Sequence, residues 1–341
     1  MTVQTPQSKA RITAIGTYVP DKILTNADLE QLVDTSDEWI VQRTGIKERH
    51  ITAENEFTSH LSIQAVERLR KTYKTSLDDV DFIITSTTTP DYSFPTVSCR
   101  IQEHFGMEQA GAIDLNATCA GFAYALHLAN GMISAGLHRK ILVVAGETMS
   151  KITDYTDRST CILFGDGAGA VLVEATPEAE AEWPGFESFI LGTNGSGGIH
   201  VYRTGLSDQM NGEPLEGKGK IVQNGREVFK WAVRTVTAGI EQLLEQAGLA
   251  REDIDWFVPH SANLRMIESI CEKADLPLAK TLQSVQDMGN TSSASIPLAL
   301  QTGVDKGRLK YGDRVLVYGF GSGLTHAGLI LRWAVPDLPQ T

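Results

Sequence analysis

The sequence DDVDFII at residues 78–84 recurs as EDIDWFV at residues 252–258, and each copy is an acidic turn that leads into a short apolar run. The offset between the copies, from position 78 to position 252, is 174 residues. An internal repeat over such a distance indicates that two similar structural units make up the chain.

Two further pairs of segments keep this register. NATCA at residues 116–120 aligns with NTSSA at 290–294, and ILVVAG at 141–146 aligns with VLVYGF at 315–320. A stretch with apolar residues at helical spacing precedes each acidic turn. Continuous apolar runs are typical of strands that helices cover on both faces. The repeat therefore predicts two pseudo-equivalent α/β halves.

The segment Glu174–Ser188, which contains Pro177 and Pro184, has the composition of a surface connection. We place the boundary near Thr176. The prediction is an N-terminal half of residues 1–176, which holds a candidate nucleophile, and a C-terminal half of residues 177–341.

Composition excludes several classes of function. The 341-residue chain is 42% apolar and has no uninterrupted apolar run of about 20 residues, so we expect a soluble protein without membrane contact. Its polar start resembles no secretory signal, which predicts a cytoplasmic protein with reduced cysteines. The four cysteines are too dispersed for a zinc site or a disulfide framework. A net charge of -12 argues against nucleic acid as a partner.

Cys119 is the first candidate for chemistry. It follows a predicted strand and turn at residues 114–118 and begins a predicted helix. A helix N-terminus favours an anion, so we expect a thiol that ionises readily and acts as a nucleophile. A buried structural thiol is equally compatible with the local pattern. The second copy has Ser293 at the aligned position, so the packing of the fold does not require a thiol there.

The second copy places His260 and Asn290 at strand ends, where ligands bind in open α/β sheets. Both side chains could converge on Cys119. The motif GDGAG at residues 165–169 precedes an apolar strand rather than a helix, which argues against a dinucleotide site. GFGSG at residues 319–323 predicts a tight turn whose N–H groups could form half of an oxyanion hole.

Several longer motifs resemble those of the β-ketoacyl-acyl-carrier-protein synthase III family, which starts bacterial fatty-acid synthesis. They are DTSDEWIVQRTGI (34–46), ATCAGFA (117–123), FGDGAGA (164–170), VPHSANLR (258–265) and GNTSS (289–293). The resemblance covers nearly the whole chain and leans toward the Gram-positive bacterial type. It implies a thiolase-like fold, with two duplicated α/β halves in a layered αβαβα arrangement.

The resemblance also implies roles for the candidate residues. Cys119 would be the acylated nucleophile, and His260 and Asn290 would stabilise the enolate formed when a malonyl group loses carbon dioxide. The N–H groups of Cys119 and Ser322 would form the oxyanion hole. The substrates would be a short-chain acyl-CoA and malonyl-acyl carrier protein, with no metal and no further cofactor.

Further positions match substrate contacts of the family. Trp39, Arg43 and Arg158 correspond to a coenzyme A site, in which an aromatic face and a guanidinium suit a flat base. Phe94 resembles the residue that closes the acyl pocket of the neighbouring subunit, which implies a homodimer.

A basic group stands out in the acidic chain. Arg226, Lys230 and Arg234 recur at four-residue spacing on one predicted helix face, and Arg265 follows the His260 turn. Spacing alone allows either a solvated face or a docking site for an acidic carrier. By the resemblance, Lys230 and Arg265 match contacts with acyl carrier protein, which favours the docking site.

Three alternatives remain open at the level of sequence. A thioester hydrolase could use the same cysteine, histidine and asparagine, a non-catalytic scaffold could keep the fold, and a relative in specialised metabolism could condense other chains. For the starter we expect a branched short chain of the isobutyryl or isovaleryl class.

Overall fold

The structure is a computed structural model that describes residues 8–180 and 185–337. Its strands are β1 (Ala10–Tyr18), β2 (Ile23–Thr25), β3 (Glu48–His50), β4 (Phe82–Ser86), β5 (Gly111–Leu115), β6 (Lys140–Thr148), β7 (Asp166–Ala175), β8 (Phe186–Thr193), β9 (Val201–Arg203), β10 (Gln209–Met210), β11 (Glu213–Pro214), β12 (Ile221–Gln223), β13 (Trp256–Pro259), β14 (Arg314–Gly321) and β15 (Thr325–Arg332). Its α-helices are α1 (Asn26–Glu30), α2 (Asp37–Thr44), α3 (Thr58–Tyr73), α4 (Val97–Phe105), α5 (Gly121–Ser134), α6 (Gly225–Ala247), α7 (Leu264–Ala274), α8 (Val285–Met288) and α9 (Ser295–Asp305).

The two main sheets repeat one topology. In the described part of the chain, the first sheet has the order β1-β7-β6-β4-β5 and the second has the order β8-β15-β14-β13. The strand pairings of the two sheets correspond. The pair β4–β6 of the first sheet and the pair β13–β14 of the second are parallel. The pairs β6–β7 and β7–β1 of the first sheet, and β14–β15 and β15–β8 of the second, are antiparallel. Strand β5 has only an isolated bridge between Phe257 and Thr281 as its counterpart.

The helices complete five layers. Helices α5 and α9 lie between the sheets, with α5 in contact with strands of both. Helix α3 covers the outer face of the first sheet, and α6 covers the outer face of the second. The apolar side chains of α5, β6, β14 and β15 form the central core between the sheets. The predicted αβαβα layering is confirmed.

Around the candidate nucleophile, the two halves have the same local structure residue by residue. Residues 118–120 and 292–294 each form a 3-10 turn, and α5 and α9 follow at positions 121 and 295. Thr118 and Ser292, which are equivalent, have positive φ angles of 48° and 50°. The prediction that Cys119 begins the helix was wrong in detail, because this sharp turn delays the start of α5 to Gly121.

The connection between the halves is shorter than predicted. Strand β7 extends to Ala175 through its pairing with β1, and β8 begins at Phe186 through its pairing with β15. The division at Thr176 stays a prediction. Gly167 and Gly169 lie within β7, as expected for a strand, and a Cβ on Gly169 would approach Pro297 of α9 to 2.5 Å. None of the helices in the described ranges has the length and apolar character required to span a bilayer.

Candidate active site

A cavity of about 650 Å³ lies at the carboxyl ends of the central strands, where the two halves meet. Cys119 from the N-terminal half lines it together with His260 and Asn290 from the C-terminal half. The structure thus brings the three predicted residues into one cavity. Apolar side chains supply much of the remaining wall, among them Met149, Ile152, Leu163, Phe164, Val228, Met266 and Phe320.

Cys119 lies in the 3-10 turn between β5 and α5. The residue is half-buried and lines the cavity. Burial raises the pKa of the Cys119 thiol to about 12, and the nearby Glu147 carboxylate adds to this effect. The expectation of a thiol that ionises readily is therefore wrong for this structure, because desolvation of the thiolate outweighs the hydrogen bonds available to it.

His260 follows β13 directly and is fixed at both its main chain and its ring. Its N–H donates to the carbonyl of Tyr318 at 2.7 Å, and Nδ1 lies 2.7 Å from the hydroxyl oxygen of Ser295. That oxygen also accepts the N–H of Ser261, and Nδ1 is the acceptor that the described residues offer to its hydroxyl hydrogen, so we assign the hydrogen to the bond with Nδ1. The proton of the neutral ring then lies on Nε2. Burial lowers the pKa of His260 to about 3, which keeps the ring uncharged at neutral pH.

Asn290 is held by the segment before β7. Its N–H donates to the Leu163 carbonyl at 2.8 Å, and its carbonyl accepts the N–H of Gly165 at 3.1 Å. The side-chain Oδ1 accepts the N–H of Ser292 at 2.9 Å. This bond fixes the orientation of the amide and leaves the NH₂ group as the donor available to a ligand.

The turn after β14 lies against Cys119. Thr118 donates its hydroxyl to the Ser322 carbonyl at 3.1 Å, and a Cβ on Gly321 would lie 3.0 Å from the Cys119 nitrogen. Only glycine fits this close approach. Within the described residues, neither the Cys119 nor the Ser322 N–H donates to a main-chain carbonyl. Both groups are thus available to an oxyanion.

The sequence patterns did not predict that two polar residues, Ser292 and Glu147, lie behind Cys119. Cys119 Sγ lies 3.4 Å from the hydroxyl oxygen of Ser292, which in turn lies 3.2 Å from Oε1 of the fully buried Glu147. Burial raises the pKa of this carboxyl group. The sequence feature that could have indicated a buried acidic group is the position of Glu147, directly after the apolar run 141–146 of a strand.

Arg49 is a buried structural residue that sequence patterns did not reveal. Its guanidinium donates to the Ile162 carbonyl at 2.7 Å and to Oδ1 of Asn26 at 2.8 Å. Burial lowers its pKa to about 10, so it stays a cation at neutral pH. It anchors the chain immediately before Leu163, which positions Asn290. No local signal separates this arginine from the exposed ones, since its partners are distant in sequence.

The three residues assigned to coenzyme A meet at the protein surface. The guanidinium carbon of Arg158 lies 4.7 Å from the centre of the Trp39 ring, and that of Arg43 lies 5.8 Å from it. Arg158 also lies 3.8 Å from the exposed carboxylate of Asp34. The cluster combines a flat aromatic face with two cations.

The basic residues assigned to carrier docking are exposed on two neighbouring helices. Arg226 and Lys230 lie in the first turns of α6, where Lys230 pairs with Glu227 at 2.8 Å. Arg265 lies at the start of α7 and donates to the Gln42 carbonyl at 3.0 Å. It therefore contacts α2, the helix that holds Trp39.

Phe94 lies outside the cavity of its own chain. Its side chain is 84% exposed, an unusual position for a large aromatic residue. Among the described residues it lines no part of the cavity around Cys119.

Comparisons with known proteins agree on one family. The model described as 3-Oxoacyl-[acyl-carrier-protein (ACP)] synthase III matches residues 113–195, and the model of its C-terminal part matches residues 244–333. The chain is 62% identical to β-ketoacyl-[acyl-carrier-protein] synthase III 2 of Bacillus subtilis, over 96% of this chain and 100% of that protein.

Solved structures give the same result. A β-ketoacyl-[acyl carrier protein] synthase III from Thermus thermophilus superposes with a TM-score of 0.91 at 46% identity, covering 95% of this chain and 99% of that one. The priming β-ketosynthase of the R1128 polyketide pathway superposes with a TM-score of 0.89 at 35% identity, covering 99% of this chain and 100% of that one.

The fold and these comparisons define a condensing acyltransferase with a thiolase-like fold. More particularly, the chain belongs to the β-ketoacyl-[acyl-carrier-protein] synthase III family, the enzymes that start fatty-acid synthesis.

Proposed function

We propose that the protein condenses a short-chain acyl-CoA with malonyl-acyl carrier protein and releases carbon dioxide and a β-ketoacyl-acyl carrier protein. The observation that carries this proposal is the shared cavity of Cys119, His260 and Asn290, to which each half of the molecule contributes. Family membership supports the same reaction.

The first step is acylation of Cys119. Its sulfur attacks the carbonyl carbon of the acyl-CoA, the thiol loses its proton, and the tetrahedral oxyanion accepts hydrogen bonds from the N–H groups of Cys119 and Ser322. Collapse of this intermediate breaks the bond to the coenzyme A sulfur, which leaves with a proton as the free thiol. The close packing of Gly321 against Cys119 supports this arrangement.

The second step is decarboxylation. The malonyl thioester loses carbon dioxide, and the electron pair of the broken C–C bond becomes an enolate. Nε2–H of neutral His260 and the NH₂ group of Asn290 donate to the enolate oxygen, and each such donor typically contributes a factor of about 100 or more. The enolate carbon then attacks the Cys119 thioester, and the C–S bond breaks to regenerate the thiol after proton uptake.

Coenzyme A and acyl carrier protein would approach over two neighbouring surfaces, since Arg265 contacts the helix that holds Trp39. The Trp39 ring and the neighbouring guanidinium groups of Arg43 and Arg158 suit the adenine and phosphates of coenzyme A. The exposed cations Arg226, Lys230 and Arg265 suit an acidic acyl carrier protein, even though the chain as a whole has a net charge of -12.

A homodimer is part of the proposal. The exposure of Phe94 supports its insertion into the acyl pocket of a second subunit, where it would limit chain length. We propose a branched short starter of the isobutyryl or isovaleryl class.

A product assay tests the function. We expect the protein, an acyl-CoA and malonyl-acyl carrier protein to give carbon dioxide and β-ketoacyl-acyl carrier protein, with isobutyryl-CoA used in preference to acetyl-CoA. Free acid and free coenzyme A as the only products would instead indicate a thioester hydrolase. Failure of any acyl-CoA to modify Cys119 would indicate a scaffold, and a strong preference for acetyl-CoA would contradict the starter assignment alone.

A further inference from the structure

We infer that Glu147 accepts the proton of the Cys119 thiol through the hydroxyl of Ser292 during acylation. This inference rests on the proposed function, since it assigns a path to the proton that the acylation step releases. It gives Ser292 a catalytic role in direct contact with the reacting sulfur, and it gives Glu147 a role that acts through Ser292.

The hydrogen bonds have the direction that such a transfer requires. The Cys119 thiol donates to the Ser292 oxygen at 3.4 Å, and the Ser292 hydroxyl donates to Oε1 of Glu147 at 3.2 Å. The positive φ of 50° at Ser292 marks a sharp turn just before α9, opposite the equivalent turn at Thr118 that presents Cys119. The two turns are also in direct contact. The duplication thus places a hydroxyl beside the nucleophile.

The surroundings of Glu147 suit a proton acceptor. Oε2 accepts the N–H of Thr88 at 3.0 Å and the hydroxyl groups of Thr88 and Thr89 at 2.9 and 2.7 Å. Oε1 also accepts the hydroxyl of Ser293 at 2.8 Å. These donors stabilise a carboxylate away from bulk solvent. Cys119 is the titratable group that faces it, and its other contacts in the described chain are hydroxyl and main-chain groups.

The thiol needs such a partner. A buried thiol with a raised pKa is almost fully protonated at neutral pH, so attack requires that the proton leave as the bond to carbon forms. His260 is already hydrogen-bonded through Nδ1 to Ser295, and the decarboxylation step requires its other nitrogen to keep a hydrogen. Only the Ser292 hydroxyl separates Glu147 from the sulfur, and the decarboxylation step does not require Glu147 to keep a particular proton.

The step balances in atoms and charge. The S–H bond of Cys119 breaks as its S–C bond to the acyl carbon forms. The proton moves to the Ser292 oxygen while the Ser292 hydrogen moves to Glu147. When the C–S bond to coenzyme A breaks, the leaving thiolate takes a proton back along the same path, and Glu147 returns to the carboxylate.

Single-turnover acylation by isobutyryl-CoA, followed by intact-mass spectrometry between pH 6 and 9, tests the inference. We expect Glu147→Gln to slow acylation by about 100-fold at pH 7, the usual contribution of a positioned base. Because hydroxide must then remove the proton, the rate of this variant should rise about tenfold per pH unit. The wild-type rate should rise less steeply, so the difference should shrink at high pH.

Ser292→Gly provides a second, independent test. Glycine adopts the positive φ of Ser292 without strain and keeps the N–H that orients Asn290, while it removes the hydroxyl. We expect a similar slowing of acylation. The matched control is Ser188→Ala, which removes a buried hydroxyl of β8 that bonds Gln246 and belongs neither to the surroundings of Glu147 nor to the path from Cys119, and its effect should stay below about threefold.

The outcomes separate this inference from the proposed function. Parallel pH profiles for wild type and Glu147→Gln would overturn the relay, as would an acylation rate for Ser292→Gly within threefold of wild type. If Glu147→Gln does not fold, the acylation rate of Ser292→Gly alone decides whether the relay operates. Absence of acylation in the wild-type protein would overturn the proposed function and the relay with it.

Discussion

The Cys119 sulfur lies in a pocket that opposes its ionisation. Burial and the Glu147 carboxylate both raise its pKa, although hydrogen bonds from the Ser292 side chain and from its own N–H lower it. A protonated resting thiol has a chemical advantage, because it is protected from oxidation and adventitious alkylation. On this basis we expect the Cys119 proton to leave during acylation, after the substrate has entered.

Neutral His260 leads to a prediction about pH. Its folded pKa of about 3 is far below its value in the unfolded chain, so the ring stays uncharged throughout the range from pH 5.5 to 8. We expect the rate of malonyl-CoA decarboxylation, measured as carbon dioxide release without starter, to show no acid limb from this histidine. A limb with a midpoint near 6.5 would contradict the assignment.

The same shift predicts how stability changes with pH. Below about pH 6.5 the unfolded chain binds a proton at His260 that the folded protein excludes, so this residue lowers stability as pH falls. Replacement by a neutral residue, as in His260→Asn, should therefore weaken the loss of thermal stability between pH 7 and 5.5. An unchanged loss would contradict burial of a neutral ring.

Asn290 gives a prediction that depends on hydrogen-bond polarity. Since Oδ1 is fixed by the Ser292 N–H, Asn290→Asp would replace the NH₂ donor by an acceptor oxygen. We expect decarboxylation to fall by about 100-fold or more while acylation of Cys119 continues. Parallel measurement of carbon dioxide release and intact mass distinguishes the two steps, and equal losses in both would contradict the role.

Sequence patterns predicted these three candidate residues but not the groups that hold them. Cys119, His260 and Asn290 lie at strand ends, which patterns reveal. The partner of Cys119, Ser292, and the partner of His260, Ser295, lie about 170 and 35 residues from them along the chain. The pKa of Cys119 could not be predicted from the sequence either, because it depends on how many distant residues exclude water from the sulfur.

Among the structural elements, the turn after β14 is one of the features that bring the halves into contact. Gly321 ends that strand and packs against the turn containing Thr118 and Cys119, so the two N–H groups assigned to the oxyanion hole come from different halves. The strand–turn–helix unit around Cys119 and its equivalent around Ser293 face each other in the same way. The register of the repeat predicted this symmetry.

Gly321→Ala tests the importance of that contact. The added Cβ would lie 2.9 Å from Cys119 Cβ and 2.8 Å from the Thr118 hydroxyl, so the turn must move away from the nucleophile. A displacement of about 1 Å typically costs about 100-fold in rate. We expect such a loss in single-turnover acylation.

The matched control for this variant is Gly131→Ala. Gly131 lies in α5, the helix that follows Cys119, and its Cβ would meet nothing within 4 Å. Alanine there should preserve acylation and raise the free energy of unfolding by up to about 1 kcal/mol. Equal acylation rates in the two variants would show that close packing of the turn is not required.

The boundaries of elements were predicted less well than their order. The acidic turns, their strands and the preceding helices lie where the repeat predicts them, because buried apolar runs are a local property of the sequence. The start of α5 was misplaced by the sharp turn at Thr118. The ends of β7 and β8 extend into the predicted connection because distant strands pair with them.

At the scale of the whole molecule, charge is distributed unevenly. The net charge of -12 would repel an acidic carrier protein at long range, whereas in the proposed docking the exposed cations of α6 and α7 would attract it locally. Productive encounter would then depend on this small region, and should weaken as salt screens it.

Lys230→Glu tests this surface. We expect an increase of about tenfold in KM for malonyl-acyl carrier protein, with little change in KM for malonyl-CoA, because only the carrier protein would contact the helix. Lys310→Glu is the matched control, since Lys310 is exposed just before β14, at the strand end opposite the active site. Equal effects of the two substitutions would indicate a general response to charge rather than docking.

In the proposed function, a cysteine from one half and a histidine and an asparagine from the other perform one condensation. A single-turnover chase measures this directly: the protein is acylated with isobutyryl-CoA, freed of excess substrate and mixed with malonyl-acyl carrier protein. We predict that the acyl mass leaves the Cys119 peptide as one equivalent of carbon dioxide and of β-ketoacyl-acyl carrier protein appears, and that Cys119→Ala yields neither the acyl mass nor the product. An acyl group that leaves as free isobutyrate, or that resides on a peptide other than that of Cys119, would contradict the claim.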